Sequence, residues 1–170
     1  LNALITKGNL GVEATVVLRG LVAYLQQIGT RYSQEYIRGV LVKHPTISGK
    51  LWKLFETRFS PALSEKESAK QQKKIAEDII EALKEVSVLD EDIIFRNLMG
   101  IINAVMRTNA FARKSVTAPL AFKIQSALVP ELPKPHPLYE IFVYHAAVEG
   151  VHLRGGKVAR GGIRWSDRVA

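Results

Sequence analysis

The stretch Val148-Glu149-Gly150-Val151-His152-Leu153-Arg154-Gly155-Gly156-Lys157-Val158-Ala159-Arg160-Gly161-Gly162-Ile163-Arg164-Trp165-Ser166-Asp167-Arg168 decides how this chain is read. It holds two Arg-Gly-Gly triplets, and five basic residues fall within fifteen positions with four glycines among them. Val151, Leu153, Val158, Ile163 and Trp165 are interleaved with those cations. That is more apolar material than a disordered, arginine–glycine-rich tail carries, so the stretch predicts folded β sequence. Val151-His152-Leu153 reads as a strand, with Gly155-Gly156 as the turn to another near Lys157-Val158-Ala159.

Immediately upstream, Tyr139-Glu140-Ile141-Phe142-Val143-Tyr144-His145 is rich in aromatic and branched residues and predicts a strand. Pro130, Pro133, Pro135 and Pro137 predict a stiff, extended connection before it. Thr117 to Ile124 reads as a further strand. Before Phe111 the period changes to that of helices. Val12, Val16, Val17, Leu21, Tyr24, Leu25 and Ile28 form one stripe of a helix that Gly29 ends through a left-handed cap. Ser33 caps a second helix with Tyr36, Ile37, Val40 and Leu41 on its face, closed by Pro45. A third starts at Thr46, turns Ile47, Leu51, Leu54 and Phe55 inward, and ends at Pro61. Ser64-Glu65-Lys66-Glu67 has the spacing of a capping box and opens a charged helix to about Val86, with Ile75, Ile79, Ile80 and Leu83 as its inner stripe. The lysine run between Lys70 and Lys74 reads as a solvated face. Asp90 is the expected cap of the last helix, Glu91 to Asn109, whose stripe is Ile94, Leu98, Ile101, Ile102 and Val105. Gly100 within it allows close packing. The expected class is α+β: a mainly helical region over residues 1–111, then a β-rich portion over 112–170.

The length of 170 residues suits about one domain, and 47% apolar with 24% charged residues is the composition of a soluble globular chain. The net charge of +8 is uneven. Residues 1–106 hold 14 basic and 12 acidic residues, whereas 107–170 hold 10 and 4. An anionic partner therefore belongs with the C-terminal part: nucleic acid, phosphate or a carboxylate substrate. There is no cysteine, which excludes disulfides and thiolate metal sites and fits a reducing compartment. No apolar run approaches the roughly 18 residues of a membrane span. The opening Leu1-Asn2-Ala3-Leu4 lacks both an initiator methionine and a signal-peptide layout, and reads as part of something longer.

Little of the chain suits catalysis by itself. His44, His136, His145 and His152 share no ligand spacing, so no metal site is expected. No nucleophile elbow, Walker loop or GxGxxG is present. The tail differs. Glycine pairs let backbone N–H groups face an anion, Arg160 and Arg164 offer forked donors for a carboxylate or phosphate, and Lys157 adds a compact cation. Such a set suits a small dianion. Two other readings stand beside it. Both Gly-Gly pairs can be plain hairpin turns with solvated arginines, or the segment can belong to a basic RNA-binding or scaffolding module.

The tail resembles the large NAD-specific glutamate dehydrogenases of bacteria almost residue for residue. Met106-Arg107-Thr108-Asn109-Ala110-Phe111, Val129-Pro130-Glu131-Leu132-Pro133, Glu140-Ile141-Phe142-Val143-Tyr144, Tyr24-Leu25-Gln26-Gln27-Ile28-Gly29 and Tyr32-Ser33-Gln34-Glu35-Tyr36-Ile37 are similar to that family too. The resemblance implies oxidative deamination of L-glutamate to 2-oxoglutarate and ammonia with NAD as hydride acceptor, in a cytoplasmic homo-oligomer without membrane or nucleic-acid partners. It implies that 112–170 is the N-terminal portion of the catalytic domain. In the smaller glutamate dehydrogenases a Lys-Gly-Gly-x-Arg motif lines the amino-acid site. The similar positions here are Arg160, Gly161, Gly162, Ile163 and Arg164, so an arginine replaces the carboxylate-binding lysine, and Lys157 can supply the ammonium instead. The implied substrate-binding set is Lys157, Arg160, Gly161, Gly162 and Arg164. In the family the catalytic lysine, its acidic partner and the dinucleotide domain follow this motif. No catalytic or cofactor-binding residue is thus expected in this chain, and it is expected to be inactive alone. The helical part is left with packing, oligomer contact or regulation as its roles.

Overall fold

A computed structural model describes residues 1–7, 9–155 and 163–165. Among them are six α-helices followed by an antiparallel sheet, the expected α+β arrangement. The helices are α1 (Ala3–Lys7), α2 (Val12–Gln27), α3 (Gln34–Lys43), α4 (Pro45–Phe59), α5 (Glu65–Leu83) and α6 (Leu89–Ala104). The strands are β1 (Val105–Thr108), β2 (Leu120–Gln125), β3 (Tyr139–Tyr144), β4 (Glu149–Arg154) and β5 (Ile163–Trp165), with a short 3₁₀ turn at Ser126–Leu128. Each strand pairs with its neighbours in sequence, in the order β1-β2-β3-β4-β5.

Helix α2 is the centre of the core. One stripe was expected, yet Ala14, Val17, Leu18, Leu21, Val22, Ala23, Tyr24 and Leu25 are all buried, because α1, α3, α4, α6 and β3 surround it. The predicted stripe member at its start, Val12, is instead 51% exposed. Its C-terminus closes as expected. Gly29 takes φ +88°, Thr30 N–H donates to the Leu25 carbonyl at 3.4 Å and Gly29 N–H to the Gln26 carbonyl at 3.1 Å, the paired bonds of a Schellman end. Gly20 is needed where α2 crosses the sheet, since a Cβ there would stand 3.0 Å from Leu120 and 3.2 Å from Phe122.

Ser33 caps α3 by accepting from Tyr36 N–H at 3.1 Å, and Ser64 caps α5 by accepting from Glu67 N–H at 3.2 Å. The Glu67 carboxylate accepts from Gln71 Nε2 at 3.0 Å, on the helix rather than back at the cap. Lys70, Lys73 and Lys74 are exposed. Pro45 does not simply close α3. It is the first residue of α4, where its missing N–H has no partner to lose. Ser48 Oγ donates to the Leu41 carbonyl at 2.7 Å and fastens this corner.

Two expectations fail around α6. Its N-cap is Val88, not Asp90, whose Oδ1 accepts from the Tyr32 hydroxyl at 2.7 Å and from Arg31 at 3.0 Å. Asp90 still lies in the first turn with Glu91 and Asp92, where negative charge suits the helix dipole. The helix stops at Ala104 instead of Asn109. Val105 turns extended (ψ 124°), Arg58 reaches the carbonyls of Asn103 at 3.0 Å and Val105 at 3.2 Å, and Val105–Thr108 joins the sheet beside β2. The sheet's inner face carries Leu120, Phe122 and Ile124 of β2 and Phe142 of β3, all fully buried beneath the helices. Phe55 of α4 meets Phe122 edge-on at 5.9 Å, and Tyr24 of α2 meets Phe142 at 5.4 Å.

Candidate functional site

The described part of the tail consists of β4, paired with β3, and β5, paired with β4. Six consecutive pairs join β3 to β4, including Glu140 with Leu153 and Phe142 with Val151. The strand after it is Ile163–Trp165, whose partners are His152 for Ile163, Val151 for Arg164 and Gly150 for Trp165. Of the predicted substrate-binding residues, Arg164 is therefore placed in a β-ladder, opposite Val151. Lys157, Arg160, Gly161 and Gly162 lie outside the described residues, as do Gly156 and the strand expected near Lys157-Val158-Ala159. Among the described residues of the tail, 149–154 and 163–165 are paired β-strands.

Beneath β4 lies a pocket of about 370 Å³, lined among others by Gln27, Pro133, Pro135, Glu140, Val151 and Leu153. It is bounded by the C-terminal end of α2, the proline-rich connection and the ends of β3 and β4. Its charged lining residue, among those described, is Glu140, 6% exposed, whose Oε2 accepts a hydrogen bond from the buried hydroxyl of Tyr24. Burial first, then the charge of Glu140 and this hydrogen bond, push the Tyr24 hydroxyl far above its ordinary pKa. Tyr24 therefore remains a neutral donor at all working pH values. Sequence reasoning placed Tyr24 in a helical stripe and Glu140 in a strand without joining them. The available signal was alternation, because Glu140 shares its strand face with Phe142 and Tyr144, which places an acid on an aromatic, inward face.

Two more polar clusters fasten the helices. Glu91, 5% exposed, accepts from Lys43 Nζ at 2.8 and 3.0 Å and lies 2.9 Å from His44 Nε2. The hydrogen bond from Lys43, then that from His44, hold its carboxyl below the ordinary value. Arg113, its side chain only 3% exposed, is paired with Glu13 and also donates to the Ala118 carbonyl at 2.8 Å. This ties the β1–β2 connection to the start of α2. A pocket of about 450 Å³ at the α2–α3 turn is bordered by Arg31, Tyr32, Pro130 and Glu131. Its ions are already engaged, Arg31 with Asp90 and Glu131 as an acceptor from Asn97 at 3.4 Å. Among the described residues no group of three His, Asp or Glu side chains could hold a metal, and no helix is long and apolar enough to cross a membrane.

Residues 78–170 match the family model described as bacterial NAD-glutamate dehydrogenase, catalytic domain, and residues 1–61 match glutamate dehydrogenase, helical motif 3. The chain is 44% identical to the NAD-specific glutamate dehydrogenase of Pseudomonas aeruginosa, over 98% of this chain and 11% of that protein. It is 45% identical to the protein of the same name from Halomonas elongata, over 98% of this chain and 10% of the relative. The corresponding figures for Mycobacterium tuberculosis are 42%, 98% and 10%. The chain thus spans about a tenth of the length of these curated relatives.

Proposed function

Because the chain belongs to the bacterial NAD-glutamate dehydrogenase family, we propose that it is the segment of such an enzyme that contributes cations to the glutamate site. The whole enzyme converts L-glutamate, NAD and water to 2-oxoglutarate, ammonia and NADH. The observation that carries this reading is the family match over residues 78–170, which takes in the basic tail and the strands that hold it.

Arg160 and Lys157 take the substrate carboxylates, Gly161 and Gly162 let the backbone approach them, and Arg164 stands beside them on β5. A guanidinium at position 160 is suited to a bidentate grip on a carboxylate. Its donors stay charged at any working pH, so substrate binding is set by geometry. The residues of this chain do not fit an NAD site. The described strands form an antiparallel meander without the parallel βαβ crossover that presents a pyrophosphate to a helix N-terminus, and no glycine fingerprint occurs in the sequence. The nicotinamide site and the groups that move the proton and hydride belong to other residues of the enzyme, so this chain alone forms no NADH. A cytoplasmic homo-oligomer completes the proposal.

The test is kinetic. In the full-length enzyme, Arg160→Ala removes one partner of a charge-assisted contact, which is worth about 2–3 kcal/mol, or some thirty- to hundredfold in kcat/KM for glutamate. Near-normal glutamate kinetics would remove Arg160 from the site.

A further inference from the structure

We infer that Tyr24 and Glu140 form a positioning pair through which helix α2 holds the β3–β4–β5 ladder, and so the substrate cations, in register. The inference rests on the proposed glutamate-binding role of the tail and names residues that act on it without touching substrate.

The two residues are 116 positions apart and come from different matched segments, Tyr24 from the helical motif and Glu140 from the catalytic domain. Tyr24 is wholly buried and grips β3 at two points on one face. Its ring lies 5.4 Å from that of Phe142, and its hydroxyl donates to Glu140. Phe142 pairs with Val151, and Val151 with Arg164, so one row of the sheet runs from the ring under Tyr24 to the strand that bears Arg164. That distance is two strand spacings, about 10 Å.

Packing alone does not call for an acid here. Apolar residues of similar size at both positions could replace this buried polar pair at little or no cost to packing. What the acid adds is register. A one-residue slip of β3 would carry Glu140 to the outer face, bring Ile141 under Tyr24 and leave the Tyr24 hydroxyl buried without its acceptor. The Tyr24–Glu140 bond therefore penalises every slipped arrangement of β3. Arg164 follows on β5 opposite Val151, so a slip of β3 carried through β4 would also shift its place in the ladder. In this way the helical motif fixes the amino-acid-binding edge of the catalytic domain.

The test is steady-state kinetics of the full-length enzyme with glutamate and NAD varied separately. Tyr24→Phe keeps the ring on Phe142 and removes the hydroxyl. Its glutamate KM is expected to rise about tenfold, while kcat and the NAD KM stay within about twofold. Glu140→Leu should behave alike. Glu140→Gln, which keeps an acceptor for Tyr24, should retain a glutamate KM within about threefold of the parent and supplies the comparison if Tyr24→Phe gives little folded enzyme. A fall in kcat together with a rise in both KM values would mark general damage and overturn the positioning role. So would Glu140→Gln as impaired as Glu140→Leu, or Tyr24→Phe and Glu140→Leu both leaving the glutamate KM unchanged while Arg160→Ala is defective. Normal glutamate kinetics in Arg160→Ala would instead overturn the underlying reading of the tail.

Discussion

Replacing Gly100 by alanine sets two effects of opposite sign against each other within one helix. Gly100 lies inside α6, where alanine is intrinsically better by about 1 kcal/mol. Its added Cβ, however, would stand 2.3 Å from Pro130 Cγ and 3.0 Å from Pro130 Cδ. Carbon atoms in good contact are about 3.5–4 Å apart, so more than about 1 Å of overlap must be relieved. The obstacle is a ring with fixed φ, which cannot swing aside as a long side chain would. The next residue, Glu131, already sits at φ 58°, so the loop has little slack. Overpacking of this kind costs about 1–3 kcal/mol, and a rigid neighbour places it at the upper end. The net expectation is a loss of about 1–2 kcal/mol for Gly100→Ala. Gly39 provides the contrast. It lies in α3 with nothing within 4 Å of its added Cβ, so Gly39→Ala should gain up to about 1 kcal/mol. Urea denaturation followed by tryptophan fluorescence reads both, because Trp52 packs against Phe55 and Phe111. A Gly100→Ala protein as stable as Gly39→Ala, or more stable than the parent, would refute the close approach of α6 to Pro130.

Two further perturbations probe the helical region. Ser64→Ala deletes the acceptor for Glu67 N–H and should lower stability by about 1 kcal/mol, with reduced helicity measured by circular dichroism. Glu91 has a folded pKa below its unfolded one, so its contribution is full above the unfolded value of about 4.3 and is lost as pH falls through the folded value. The stability gap between the parent and Glu91→Gln, measured by denaturant titration from about pH 7 to about pH 3, should therefore narrow on acidification; a constant gap would contradict the Lys43–Glu91–His44 contact.

The features legible in the sequence are those with a local cause. Gly29 announces the end of α2 because only a left-handed residue completes that cap, and Ser33 and Ser64 announce starts because their hydroxyls replace the missing turn. The misread features have distant causes. Apolar spacing continues through Val105 without a break. The helix nevertheless yields to a strand there, because Arg58, 47 residues earlier, takes the terminal carbonyl and β2 offers a ladder. Asp90 has the sequence of a cap, but Tyr32, 58 residues away, claims its carboxylate. The site divides in the same way. Strands β3 and β4 follow from their aromatic and branched residues, and Arg164 falls on β5, whereas the Tyr24–Glu140 contact depends on which helix covers the sheet.

The passage from α6 into β1 has no intervening loop. Ala104 is the last helical residue, Val105 the first of the strand, and one guanidinium holds the carbonyls on both sides of the junction. Domain motions need a few residues free to change φ and ψ, and no loop residue separates α6 from β1. Helix and sheet edge are thus geared together: a turn of α6 about its axis must tilt β1, and with it the paired strands out to β5. Any movement of α6 relative to β1 must therefore be taken up beyond this joint, on either side of it.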